Sequence, residues 1–129
     1  MKVLVDTQVF LWAIAEDPRL AGKLADVYTN PTSDLWFSMA SVWEIFLKVS
    51  TGKLDLAGEP ETFLRQQLSL NRLSILPIRF EHTAQLVRLP WHHKDPFDRL
   101  LIAQAQVENL PILTADGQFE HYGVVMKNQ

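Results

Sequence analysis

Short apolar runs alternate along this chain with longer stretches of helical period, and that alternation predicts the elements. Residues 2–5 form a brief run that reads as a strand buried on both faces, and it ends at Asp6. Val9, Phe10, Leu11, Ala13 and Ile14 then give a helix that stops near Asp17 and Pro18. Residues 20–28 predict a second helix, a turn-forming stretch over 30–34 closes it, and residues 35–38 predict a second buried strand. The next stretch, 39–50, is apolar on nearly every side through Val42, Trp43, Ile45, Phe46, Leu47 and Val49, which predicts a helix inside the protein. A helix entered through Pro60, a strand within 73–78 and a helix over 80–89 follow. Asp95 then stands where an N-cap belongs, Pro96 fits the first helical position and an apolar run propagates the helix. Residues 111–114 predict another strand, Asp116-Gly117 a turn, and residues 123–126 a last strand.

Alternating strands and helices call for an α/β fold: a mainly parallel central sheet with helices on both faces, a three-layer α/β/α sandwich. No repeat, low-complexity tract or long linker interrupts the 129 residues, so one domain over 1–129 is expected. Ligands of such sheets bind beyond the carboxyl ends of the strands.

Composition narrows the chemistry. The chain has no cysteine, which excludes disulfides, thiolate metal sites and cysteine nucleophiles, and suits a reducing, cytoplasmic setting. No apolar segment approaches a membrane span or a signal-peptide core, so a soluble protein is expected. Net charge is −3, from 15 acids against 12 bases, and bulk charge gives no reason to expect nucleic acid. If Asp6, Glu44, Asp98 and Asp116 hold metal, the remaining 11 acids nearly balance the 12 bases.

Those four acids carry the candidate chemistry. Asp6 and Asp116 each follow a strand, Asp98 falls three residues after the cap Asp95, and Glu44 lies on the helix after the second strand. Each alone has a plainer reading: Asp6 as a cap, Glu44 paired with Lys48, Asp98 as a first-turn acid, Asp116 as a turn residue. Together they can reach one rim of the sheet, where hard oxygen ligands suit Mg²⁺ or Mn²⁺. Such a metal turns bound water into a nucleophile and stabilises an in-line phosphodiester displacement. Thr7, Ser41 and Thr114 neighbour the acids and could orient ligands or waters, with local capping as the alternative.

ValAspThr at 5–7, SerValTrpGluIle at 41–45, AspProPheAspArgLeuLeuIleAlaGln at 95–104 and LeuThrAlaAsp at 113–116 together resemble the PIN-domain family, and most closely its VapC-like toxins of bacterial toxin–antitoxin pairs. The resemblance runs through the whole chain in order. It implies a parallel-sheet sandwich and a metal-dependent endoribonuclease with ligands at Asp6, Glu44 and Asp98 and Asp116 as the fourth acid. It also implies a homodimer and a small antitoxin protein as partner. Two positions depart from the pattern: Asn109 replaces a frequent helix-end glycine, and Phe46 a smaller residue.

Trp91, His93, Lys94 and Arg99, with Lys48, interleave aromatic and basic groups beside the acids, as a single-stranded RNA groove needs. His82, His92, His93 and His121 lack zinc-ligand spacing and are expected at the surface. The stripes Leu100, Ala103, Val107, Leu110 and Leu101, Ala105 exceed one sheet-facing side, so part of that helix is expected to meet a second chain. Receiver-domain, dehalogenase-like, serine-hydrolase and P-loop readings lack their motifs here. The alternative left is a PIN-like module that binds protein without catalysis.

Overall fold

The computed structural model describes residues 1–125. Among these residues four strands, β1 (Lys2–Val5), β2 (Asp34–Ser38), β3 (Ser74–Leu76) and β4 (Ile112–Leu113), form one sheet in the order β3-β2-β1-β4. Every pairing is parallel, with Val3 opposite Leu35, Phe37 opposite Ile75 and Val5 opposite Leu113. Among the described residues six α-helices accompany them: α1 (Thr7–Ile14), α2 (Gly22–Thr29), α3 (Met39–Ser50), α4 (Pro60–Leu70), α5 (Phe80–Gln85) and α6 (Pro96–Glu108).

Alternation along β1 divides the interior into two cores. Val3 and Val5 face one side with Val9 and Phe10 of α1, Ile45 of α3 and Leu64 of α4. Leu4 faces the other with Leu101, Ile102 and Ala105 of α6 and Phe119. Because β1 is covered on both faces, it reads as a continuous apolar run rather than an alternating one. Burying an aliphatic side chain of this kind contributes about 1.5–3 kcal/mol, which pins β1 in register and fixes where Asp6 emerges.

Four expectations need correction. The predicted helix over 80–89 is α5 followed by a 3-10 turn at Leu86–Arg88, with Phe80 and Val87 exposed. Asp116-Gly117 opens a 3-10 segment, Gly117–Tyr122, rather than a simple turn. The last strand reduces to a parallel bridge between Val125 and Ile112, and Met126 lies outside the described residues. Finally, α3 does not lie wholly inside: Met39, Trp43 and Leu47, spaced by four residues, are 43%, 55% and 43% exposed.

Most of the apolar surplus of α6 is spent within the chain, although Val107 stays 38% exposed. Leu100, Leu101, Ala103 and Ala105 are all buried, because α6 packs against Leu4 and Ile112 of the sheet on one side and against α3 and α5 on others. Asn109 ends the helix in the left-handed region (φ 55°), which asparagine tolerates better than most residues, so the departure from glycine keeps the same stop.

Candidate functional site

The ends of β1 and β4 and the starts of α1 and α6 deliver most of the acids. Asp6 occupies the N-cap position of α1 with extended backbone, and its carboxylate lies near the Gln8 N–H without completing a well-formed capping hydrogen bond. Its Oδ2 instead accepts from Thr114 Oγ1 at 2.7 Å, a hydroxyl just beyond β4. Thr114 is thus the stronger partner of Asp6, and the capping role there is secondary. Asp95 does cap: its Oδ1 accepts from the backbone N–H of Phe97 at 2.9 Å and of Asp98 at 3.0 Å, with Pro96 opening the helix. Since Asp95 satisfies those donors, the carboxylate of Asp98 is left for other partners.

Asp116 divides its two oxygens. Oδ1 accepts from Gln118 N–H at 2.9 Å, and Oδ2 lies 3.7 Å from His93 Nε2. Glu44 is buried in the middle of α3, with Lys48 Nζ 3.0 Å from its Oε2. The pairing expected of a surface stripe thus exists, yet both partners line a cleft. That cleft, of about 360 Å³, is bounded by all four acids, Asp6, Glu44, Asp98 and Asp116, together with Thr7, Lys48 and Asp95. Within the site, His93, Asp98 and Asp116 offer atoms that all lie within 4.8 Å of one another, while Asp6 and Glu44 line the cleft outside that closest group.

The electrostatics of the cleft suit a divalent cation. Burial, and then the charges of Asp95, Asp6, Glu44 and Asp116, push the Asp98 carboxyl up to about 8. Burial also pushes Asp6 up to about 6, against hydrogen bonding from Thr114 and from the Gln8 backbone, and the Glu44 and Asp116 charges add to the rise. Lys48 alone cannot balance four carboxylates. An all-oxygen donor set of this density fits a hard divalent ion such as Mg²⁺ or Mn²⁺.

The residues expected to support the acids take distinct places. Thr114 holds Asp6, and its Oγ1 also accepts from Asp116 N–H at 3.0 Å. Thr7 Oγ1 donates to Ser41 Oγ at 2.7 Å, tying the start of α1 to α3 one turn before Glu44. Among the groups expected along an RNA strand, Lys94 and Trp91 are exposed and Lys48 lines the cleft.

Arg99 is a correction. It is buried, and its guanidinium donates to the carbonyls of Pro90, His93, Leu86 and Leu89 at 3.0–3.4 Å while lying 3.7 Å from the ring centre of Trp91. It clamps the segment that leads into α6. Replacing it with alanine strands several buried carbonyls, so Arg99→Ala is expected to destabilise by roughly 2–4 kcal/mol in urea denaturation. A loss below about 0.5 kcal/mol would show that water replaces the clamp.

Two histidines also depart from the surface expectation. His82 is fully buried: Nδ1 accepts from Arg79 N–H at 2.9 Å, and Nε2 meets Glu108 Oε2 at 2.7 Å. The side chain of His93 is 11% exposed and stands beside Asp98. The available signal was position, since His93 lies two residues before the cap that starts α6. Spacing rules for zinc could not show it.

Comparison with known proteins gives the following. The PIN domain family profile matches residues 3–125. No curated protein matches the chain significantly. Among solved structures, VapBC2 from Rickettsia felis bound to a DNA fragment from their promoter is similar with a TM-score of 0.71 at 19% identity, over 98% of this chain and 96% of that one. FitAcB from Neisseria gonorrhoeae is similar with a TM-score of 0.70 at 22% identity, over 99% and 97% of the two chains. VapBC-1 from nontypeable Haemophilus influenzae gives 0.68 at 15% identity, over 99% and 98%. At these identities the solved structures speak to the fold.

Proposed function

The chain belongs to the PIN domain family, and from that premise we propose that it is a metal-dependent endoribonuclease, the toxin of a toxin–antitoxin pair, held in check by a small antitoxin protein. The observation that carries this reading is the gathering of Asp6, Glu44, Asp98 and Asp116 around one cleft at the end of a parallel sheet, with two carboxyls pushed far up. The similarity to VapBC structures supports the toxin part.

Bound there, Mg²⁺ or Mn²⁺ supplies an activated water and neutralises charge at the phosphate. Asp6, Glu44, Asp98 and Asp116 would hold the ion, with Thr114 keeping the Asp6 carboxylate turned toward the cleft and Asp95 fixing the start of α6 so that Asp98 faces it. Lys48 pairs with Glu44 and offers an ammonium to an incoming phosphate. Exposed Trp91 and Lys94 provide a stacking face and a charge for unpaired RNA.

The deciding experiment incubates purified protein with a panel of RNAs in Mg²⁺, Mn²⁺ or EDTA, with Asp6→Asn as the control for contaminating nuclease. Cleavage that needs metal and Asp6 supports the reading. Equal cleavage in EDTA, or none under any condition, sinks it. Expression of the wild-type chain without an antitoxin is expected to arrest bacterial growth, and expression of Asp6→Asn is not.

Assembly follows from α3. Met39, Trp43 and Leu47 form an exposed apolar stripe, and Phe97 packs edge-on against Trp43 at 4.8 Å, which extends the patch toward the site. We place the homodimer contact here rather than on α6, whose stripes are largely buried. Trp43→Glu is therefore expected to yield single chains by light scattering at concentrations where wild type pairs, with a metal-free melting temperature that no longer depends on protein concentration. A wild type that is monomeric at tens of micromolar would count against the dimer.

A further inference from the structure

His93 belongs to the closest cluster of potential ligand atoms, yet its tautomer argues against ligation. In a neutral imidazole one nitrogen carries the hydrogen and the other accepts. Here Nδ1 accepts from Asp95 N–H at 3.2 Å, so the hydrogen resides on Nε2. A nitrogen that binds metal must present its lone pair, and Nε2 could do so only by giving up the bond between Nδ1 and the Asp95 amide. Nε2 is also shut off from solvent and has no aligned hydrogen-bond partner among the described residues, although Asp98 Oδ2 lies 2.9 Å away and Asp116 Oδ2 3.7 Å away.

The ring is held from several sides. His93 N–H donates to the Tyr122 hydroxyl at 2.8 Å, its carbonyl accepts from Arg99 Nη1 at 3.3 Å, and the ring meets Phe119 edge-on at 5.9 Å. His93 is not among the residues that line the cleft. It therefore sits behind the carboxylates as a fixed donor, between the start of α6 and the segment after β4.

We infer that His93 is a positioning residue, which holds the Asp98 and Asp116 carboxylates from behind through Nε2–H and stays outside the coordination sphere of the metal. The inference rests on the metal-centre reading above and deepens it: the ion meets oxygen donors alone, and small shifts of the two carboxylates bring one oxygen of each into line with the imidazole N–H. A donor of this kind turns the remaining oxygens toward the cleft and limits where the acids can retreat when they repel one another. Outer partners of metal ligands commonly contribute tenfold to a hundredfold in affinity.

The test uses the whole protein with Mn²⁺ as the probe. Pulsed electron paramagnetic resonance of the Mn²⁺-loaded wild type is expected to show no directly coordinated imidazole nitrogen. By calorimetry, His93→Ala is expected to weaken Mn²⁺ binding by about tenfold or more. His93→Gln, whose side-chain amide can also donate, is expected to recover most of that loss, while circular dichroism shows both variants folded. Should His93→Ala fail to fold, the wild-type spectrum and the His93→Gln affinity still decide the matter. A coordinated nitrogen signal that vanishes in His93→Gln makes His93 a ligand and overturns the inference. So does unchanged Mn²⁺ affinity in a folded His93→Ala, or a folded His93→Gln that binds as weakly as the alanine variant. A wild type that binds no Mn²⁺ overturns the metal centre itself, and the role of His93 falls with it.

Discussion

Asp98→Asn is expected to be more stable than wild type when metal is absent and the pH is neutral or alkaline. The wild-type carboxyl rises from 3.8 to about 8 on folding, so between those values the folded state keeps a proton that the unfolded chain releases. Stability contributed by this group therefore falls as pH climbs through that window and levels off above it. Asparagine removes the penalty. The advantage of the variant should be near zero at pH 4 and grow to on the order of 2–3 kcal/mol at pH 8, after allowance for the partial exposure of the side chain. Urea denaturation in EDTA across that range measures it directly.

Adding Mn²⁺ should reverse the order. An ion that binds only the folded state contributes about 2.7 kcal/mol at a hundredfold excess over its dissociation constant, which for a chain of this size is roughly a 10 °C rise in Tm. Asp98→Asn should gain much less, and its RNA cleavage should fall beyond the roughly 10–100-fold typical of losing an outer partner. If Asp98 were merely a first-turn acid, the variant would instead be less stable by about 0.3–1 kcal/mol at all pH values above 4 and would respond to Mn²⁺ as wild type does. That pattern would remove the central ligand from the proposed site.

Metal binding should be steeply pH-dependent, and this is the second large effect. Asp98 and Asp6, pushed up to about 8 and about 6, must both lose their protons to hold a cation. Protons and metal compete, so the Mn²⁺ dissociation constant is expected to fall by at least about a hundredfold from pH 5 to pH 8. Near pH 6 more than one proton should leave per ion bound, measurable by calorimetry in buffers of different ionisation enthalpy. RNA cleavage should rise through the same window. An affinity that stays flat over these three pH units, with no proton release, would mean that the ion binds elsewhere or that these carboxyls are already ionised.

Much of this architecture is legible from one dimension. The apolar run at 2–5, the helix at Met39–Ser50 and the Asp95-Pro96 helix start all match the structure, because each depends on neighbours within a few residues. The parallel sheet follows from the alternation of strands and helices, since parallel strands need long crossovers. The acids Asp6 and Asp116 are legible as residues at strand ends for the same local reason.

What the sequence left open is where each side chain points and what is already satisfied around it. Asp6 and Asp95 stand at equivalent helix starts, yet only Asp95 makes well-formed capping bonds; the Asp6 carboxylate is held chiefly by Thr114, 108 residues away. Arg99 resembles a strand-binding base in sequence and is a buried clamp in space, because the segment over residues 86–93 folds its carbonyls around it. The stripe Met39, Trp43 and Leu47 looks like core and faces outward, since the sheet and α6 cover only part of α3. Local order sets helices, strands and their caps, because those hydrogen bonds close within a few residues. The carboxylate cleft and the histidine behind it exist only after packing brings the ends of β1 and β4 against α3 and α6, where burial and neighbouring charge raise the proton affinities of Asp6 and Asp98.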